Sequence, residues 1–388
     1  MKRIGVIGAS ASGLYASIFL ALKHPDYRID VYDRMDAPGK KLRATGNGHC
    51  NLLNLGMRAD HFNHPKAVEP LLRRYPVSAL MDTIKNLGIP LVCHGELVYP
   101  LSYSAPGFVA YLFSLAKRLG IVFHFSTRIV GVEGTTLAFE GGEKETFDDV
   151  IFAFGGKSQA NLGSDGSLFS LLEKEGYSFI LLSPRLCPIK SKDVPKSLFG
   201  TRHEALVRII RDDKEAFSER GEVMFKKDGL SGIVIMNATR YLEFKDKIVL
   251  DLFPEWTVED LAAAMAISYE KNPELFLAGM VEKPLADYVL NHPKLTGFAK
   301  KNKLKPADFP SMAELLKSLQ FGFDGFYDFD SSQVTRGGIS LENLDATLRS
   351  KINPHHHFIG ECVDIDGPCG GYNLGWALLS ALTVSENL

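Results

Sequence analysis

The segment Arg3-Ile4-Gly5-Val6-Ile7-Gly8-Ala9-Ser10-Ala11-Ser12-Gly13 opens the chain and decides the reading of its fold. Residues 3–7 are a short apolar run of strand type. They meet a glycine turn, and Leu14 to Leu22 then carries apolar residues at helical spacing. A second strand-type run, Arg28-Ile29-Asp30-Val31-Tyr32, ends at Asp33, twenty positions after Gly13 (33 − 13). Strand, tight turn, helix, strand, acid is the order of a dinucleotide-binding fingerprint. Gly8, Ser10 and Gly13 occupy its three glycine positions. Such a turn presents backbone N–H groups and a helix N-terminus to a pyrophosphate, where aligned peptide dipoles favour negative charge. Asp33 stands where an acid accepts hydrogen bonds from a ribose diol. Ser10 departs from the pattern: its Cβ crowds the phosphates, but its hydroxyl can donate to one.

Composition narrows the class. At 388 residues the chain is long enough for two or three domains. With 45% hydrophobic and 23% charged residues it is an ordinary globular sequence. Lys+Arg number 44 against 46 Asp+Glu, a net charge of −2, which argues against a nucleic-acid partner. Five cysteines, an odd and sparse set, exclude a disulfide scaffold and point to the reducing cytoplasm. Gly5, Gly8 and Gly13 break up the first apolar stretch, so it reads as folded protein and neither as a signal peptide nor as a membrane span.

Further glycine-rich loops follow the acid and recur near the other end. Gly39-Lys40-Lys41-Leu42 and Thr45-Gly46-Asn47-Gly48-His49-Cys50-Asn51 suit close approach of backbone to a ligand. Phe358-Ile359-Gly360-Glu361 and Gly367-Pro368-Cys369-Gly370-Gly371-Tyr372-Asn373-Leu374 read as strand, loop and helix start. Ligand-type loops at both ends imply one domain assembled from both, with material inserted between them.

These blocks, with Gly155-Gly156, Gly229-Leu230-Ser231-Gly232 and Gly337-Gly338-Ile339-Ser340, resemble the bacterial three-domain FAD flavoproteins of the aminoacetone-oxidase-like or BaiN-like type. The resemblance runs through most of the chain. It departs from the usual family residues at Ser10, His49, Phe154, Ile233 and Cys369. It implies FAD, with Asp33 at the AMP ribose, backbone near Ile129 at the adenine, and Gly155 over the AMP half. Gly360 and Glu361 would approach the ribityl and pyrophosphate. Lys41 would bring positive charge to that region, with Leu42, Asn47 and Gly48 along the loop. Gly370, Gly371, Tyr372 and Asn373 would aim a helix N-terminus at the flavin pyrimidine edge, where reduced flavin carries negative charge.

The expected fold is therefore α/β: a discontinuous Rossmann-like FAD-binding domain (1–186 and 337–388), an inserted small β domain (187–256 and 321–336) and a helical module (257–320). Thr257-Val258-Glu259-Asp260 and Ser311-Met312-Ala313-Glu314 read as capping boxes opening two helices of that module. The cysteines show no CxxC pair, and no four-ligand set has zinc-like spacing. His355-His356-His357 reads as a solvated turn with one buried ring before a strand, His49 as a loop-positioning residue, and Arg336 as a solvated arginine.

Three function classes follow. One is an FAD-dependent oxidoreductase on a small organic substrate, with NAD(P)H or O2 as a transient partner, since no second glycine fingerprint follows a strand. The others are a flavin-dependent tRNA-modifying enzyme and a non-catalytic FAD-binding redox sensor. The catalytic residues and substrate are not legible at this level.

Overall fold

Arg3–Ile7 forms strand β1, four of its five residues buried, at the centre of a five-stranded sheet. A parallel strand with both faces covered has no water-facing side, which is why the run is almost continuously apolar. Ala11–Lys23 is helix α1, and Arg28–Tyr32 is strand β2. The sheet order is His356–Phe358, Asp149–Phe152, β1, β2, Val122–His124, and every pairing is parallel. One strand thus comes from the far end of the chain. A computed structural model of the protein describes residues 1–295 and 304–388; residues 296–303, part of the expected helical module, lie outside the described residues.

The last helix, Tyr372–Asn387, packs along α1, and the neighbouring positions Ser12 with Ser380 and Ala16 with Ser385 show that the two run in the same direction. A Cβ on Gly360 would lie 2.5 Å from Ser12 Oγ, and the Gly360 N–H donates to Ser380 Oγ at 3.0 Å. Further along, Ser385 Oγ donates to the Ala16 carbonyl and Lys23 Nζ to those of Ser385 and Glu386.

Two units make up the chain: Met1–Pro184 with Phe329–Leu388, and Arg185–Asp328. The return to the first unit comes eight residues before the expected 337 (337 − 329). The reason is that Val334–Ile339 pairs with the strand beginning at Phe179, not with the inserted sheet.

The second unit holds a seven-stranded antiparallel sheet whose longest pair is Arg202–Arg211 with Lys214–Lys226. Helices Val258–Lys271, Lys283–Leu290 and Phe309–Lys317 share its core, where Leu261, Met265, Leu285 and Leu316 join Leu250 and Phe321. Thr257 caps the first, accepting the Asp260 N–H at 3.0 Å. Ser311 does not cap the last: that helix begins at Phe309, and Pro310 occupies its first turn, where no donor is missed. Among the described residues no helix is long and apolar enough to cross a membrane.

Candidate functional site

The glycine turn after β1 is built for close approach. Gly8 has φ 109°, and a Cβ there would collide with the Ala153 carbonyl of the next strand's end. A Cβ on Gly13 would collide with the Gly8 carbonyl, so α1 rests directly on the turn. Ser10 is extended (φ −100°, ψ −157°) at the N-cap of α1, yet its hydroxyl makes no capping bond. The first turn of α1 also lacks an acidic residue. The positive end of this helix is therefore uncompensated by side chains.

Asp33 holds the far side of the turn. Its carboxylate accepts the Ala9 N–H at 2.7 Å and the Met35 N–H at 2.8 Å. Burial nevertheless outweighs these donors and raises its pKa. The Ser126 and Thr127 N–H groups donate to the Met35 and Asp33 carbonyls, which brings the approach to Ile129 beside the acid. Ile129 itself starts the strand Ile129–Glu133 with a buried side chain. Arg34, next to the acid, reaches the Gly163 carbonyl at 2.9 Å and Asp165 at 3.3 Å, and Arg128 reaches Asp165 at 3.5 Å. Burial opposes ionisation of Asp165, but the Ser167 donors and these two arginines overcome it and hold its carboxyl low.

On the other side, the Gly39 N–H donates to the Ala9 carbonyl at 2.8 Å and ties the short helix Lys40–Arg43 to the turn. Lys41 Nζ lies 2.7 Å from Glu361 Oε2, and Glu361 Oε1 accepts the Thr335 N–H at 2.8 Å. Gly155 and Gly156 border this pair: a Cβ on Gly156 would lie 3.2 Å from Glu361 Oε1, and one on Gly155 would meet Ser164 Oγ at 2.7 Å. Gly8 to Gly13, Lys41, Gly155, Gly360 and Glu361 thus converge. Leu42 departs from them, its side chain buried in the core at 2% exposure. Asn47 and Gly48 lie on a left-handed turn (φ 52° and 87°), with Asn47 exposed.

The C-terminal helix presents a second bare N-terminus. Its N-cap, Gly371, has φ 96°, no side chain caps it, and its first turn carries no acid. Tyr372 lies eight residues before Ser380 and Ala11 one before Ser12, so the two N-termini are offset by about seven residues, roughly 10 Å along the axis. Gly370 is held through its carbonyl, which accepts Asn54 Nδ2 at 3.1 Å. Asn373 turns its amide inward, accepting the Gly367 N–H and donating to the Gly367 carbonyl, both at 2.9 Å. The Tyr372 ring packs edge-on to His61 and Phe62. These two side chains shape the loop.

Several partnerships here carried no sequence signal. Thr335 receives the Lys157 and Ser158 N–H groups at 2.8 and 3.0 Å. Arg336, read as solvated, makes a two-point pair with the buried Asp366 at 2.7 and 2.9 Å. His64 Nε2 lies 2.8 Å from Asp364 Oδ2, and that bond raises the pKa of His64 against its partial burial. Each partnership spans 26 residues or more, so no local spacing announces it. Burial pushes the Cys50 thiol up to about 12, which makes it unreactive. Among the described residues no group of three or more His, Cys, Asp or Glu could hold a metal ion.

A parallel sheet with a glycine turn, an uncapped helix and an acid after the second strand defines a Rossmann-type α/β protein. Residues 2–387 match the family model described as the HI0933-like protein Rossmann domain, and the chain belongs to that family. It is 29% identical over 394 residues to the 3-dehydro-bile acid delta(4,6)-reductase of Clostridium scindens, covering 97% of this chain and 96% of that protein. It is 22% identical over 395 residues to the ribosomal RNA dihydrouridine synthase of Escherichia coli, covering 99% and 97%. Among solved structures, the 3-ketosteroid-delta4-(5alpha)-dehydrogenase of Rhodococcus jostii RHA1 aligns with a TM-score of 0.47 at 14% identity, covering 99% of this chain and 96% of that one.

Proposed function

We propose that the protein is an FAD-dependent oxidoreductase that transfers hydride or electrons between the flavin and a small organic molecule. The observation that carries this reading is the pair of bare helix N-termini, offset by roughly 10 Å along the axis. A dinucleotide with one anionic group at its middle and another forming at its ring end suits both. In this reading Gly8, Ser10 and Gly13 hold the pyrophosphate and Asp33 the ribose, with Ile129 and Gly155 enclosing the adenosine half. Lys41, Glu361 and Gly360 border the ribityl chain, and Leu42, Asn47 and Gly48 contribute backbone along it. Gly370, Gly371, Tyr372 and Asn373 set the second helix end toward the flavin pyrimidine. The flavin, when bound, supplies the hydride chemistry; the chain's own residues orient the substrate and exclude water.

The resemblance to a reductase favours a small-molecule substrate and a conjugated carbonyl as acceptor. The resemblance to a ribosomal RNA synthase favours a second reading, reduction of a base in RNA. The division into an FAD domain from both chain ends, a β domain and a helical module is part of the proposal, as is a cytoplasmic location, which suits a sparse and odd set of five cysteines. The test is anaerobic. The FAD-loaded protein is mixed with NADH or NADPH, then with a conjugated ketone, then with oxygen, while the visible spectrum is recorded. The expected result is bleaching of the flavin band by reduced nicotinamide and its return on adding the ketone. A band that neither nicotinamide nor any candidate substrate bleaches overturns the reading.

A further inference from the structure

His64 and Asp364 form a pair that the proposed binding of FAD does not use. Asp364 is buried, and its Oδ2 lies 2.8 Å from His64 Nε2. The same carboxylate is anchored from two further sides: Oδ1 accepts Asn63 Nδ2 at 3.2 Å and the Gly337 N–H at 3.0 Å. Asn63 is fixed in turn, donating its N–H to the Asp366 carbonyl at 3.1 Å and accepting the Asp366 N–H at 2.8 Å. His64 stands at the N-cap of helix Pro65–Arg74, yet its ring caps nothing. Its side chain is 41% exposed, and Nδ1 has no hydrogen-bond partner among the described residues. In the neutral ring Nε2–H donates to the carboxylate, which leaves the Nδ1 lone pair open. A buried, anchored carboxylate behind a half-open imidazole is the arrangement that proton transfer needs.

The pair belongs to the loops proposed to border the flavin. The Thr335 N–H donates to Glu361 and the Gly337 N–H to Asp364. These donors are two residues apart on Val334–Ile339, at most roughly 7 Å of chain, so one short strand carries both carboxylates. On the other side, His61 and Phe62 pack edge-on to Tyr372, which opens the helix proposed to face the pyrimidine. The charged groups facing His64 are Asp364, Asp366 and Arg336. The last helix, packed against Pro65–Arg74, brings only Tyr372 and Glu386 as ionisable residues. The bond to Asp364 prevails over partial burial and sets the pKa of His64 above 6.5.

We propose that His64 is the proton carrier of the flavin site, with Asp364 as its positioning residue. His64 takes up a proton at Nδ1 when the flavin is reduced and gives it to the substrate when the electrons leave. The inference rests on the FAD oxidoreductase reading and deepens it. The step balances. Hydride from a reduced nicotinamide brings two electrons and one proton, and water supplies the second proton, at Nδ1. Hydride and proton then pass to the two ends of an unsaturated bond in the substrate, and His64 is left neutral.

The test needs no substrate. The midpoint potential of the FAD-loaded protein is measured from about pH 6 to about pH 9, and its slope counts the protons taken up per electron pair. A negative charge arising within roughly 10 Å raises the proton affinity of an imidazole about tenfold. The parent should therefore take up about half a proton more than His64→Gln where the two differ most, at a pH above 6.5. Glutamine keeps a donor toward Asp364 but does not titrate, so FAD affinity and thermal stability should stay near those of the parent. In Asp364→Asn the extra uptake should persist and move at least about one pH unit lower, because the carboxylate no longer supports the imidazolium. FAD binding with the same slope in parent and His64→Gln, or an uptake that stays in place in Asp364→Asn, overturns this inference alone. Failure to bind FAD overturns the underlying reading with it.

Discussion

Lys41 and Glu361 are 320 residues apart in the chain and 2.7 Å apart in the fold. Their pairing joins the short helix after the glycine turn to the segment that follows the strand His356–Phe358. Both side chains are largely shielded, at 16% and 22% exposure, so neither is well served by water if its partner is lost. Glu361→Gln should lower stability by about 1–3 kcal/mol, and so should Lys41→Met. The double variant should lose clearly less than the sum, because no unpaired charge is left behind. Urea unfolding of the four proteins measures this; strictly additive losses would show that the two groups do not depend on each other.

Ser10 is the second test. Its hydroxyl does not cap α1, which leaves it available to a phosphate oxygen. Ser10→Ala should loosen FAD binding by roughly 1.5–3 kcal/mol, the worth of a hydrogen bond to a charged group. Ser10→Gly should loosen it less, because the steric penalty of the Cβ goes as well, a gain of about 1 kcal/mol or less. Calorimetric titration of both variants decides it. An alanine variant with the parent's dissociation constant rejects the donor role.

How much was legible follows from where the partners sit. The run from β1 through the glycine turn to Asp33 was readable because every element lies within thirty-three residues and carries its own period. Lys41 was a candidate, but neither its pairing with Glu361 nor the anchoring of Glu361 on Thr335 has any local trace. Strand Lys214–Lys226 carries a buried apolar alternation only at Val223–Phe225, since its first nine residues are exposed or half-exposed and include charges in place of apolar residues. Ser311 misled because a capping-box pattern can occur inside a helix that Pro310 has already started.

Acid should weaken the fold through His356. It is fully buried, bonded to the Tyr177 hydroxyl at 2.8 Å and lying 2.7 Å from the Gly134 carbonyl, and burial lowers its pKa from 6.5 to about 4. Between those values the unfolded chain takes up a proton that the folded chain refuses. The contribution is therefore complete above pH 6.5 and is lost as the pH falls toward about 4. The loss should be about 3 kcal/mol across that window. Urea midpoints of the parent and His356→Gln across it should diverge, the variant showing the flatter dependence; equal slopes would mean that other groups carry the acid response.

The central claim is that the turn at Gly8–Gly13 and the acid at Asp33 hold the AMP and pyrophosphate half of FAD. FMN lacks the adenosine half, so the two flavins separate this claim from a site that recognises only the isoalloxazine ring. The deciding measurement is the pair of dissociation constants of FAD and FMN for the parent and for Asp33→Ala. The parent should bind FAD at least about tenfold more tightly than FMN. Asp33→Ala should weaken FAD by about 1–3 kcal/mol, leaving FMN nearly unchanged. Equal affinity for the two flavins in the parent would contradict it.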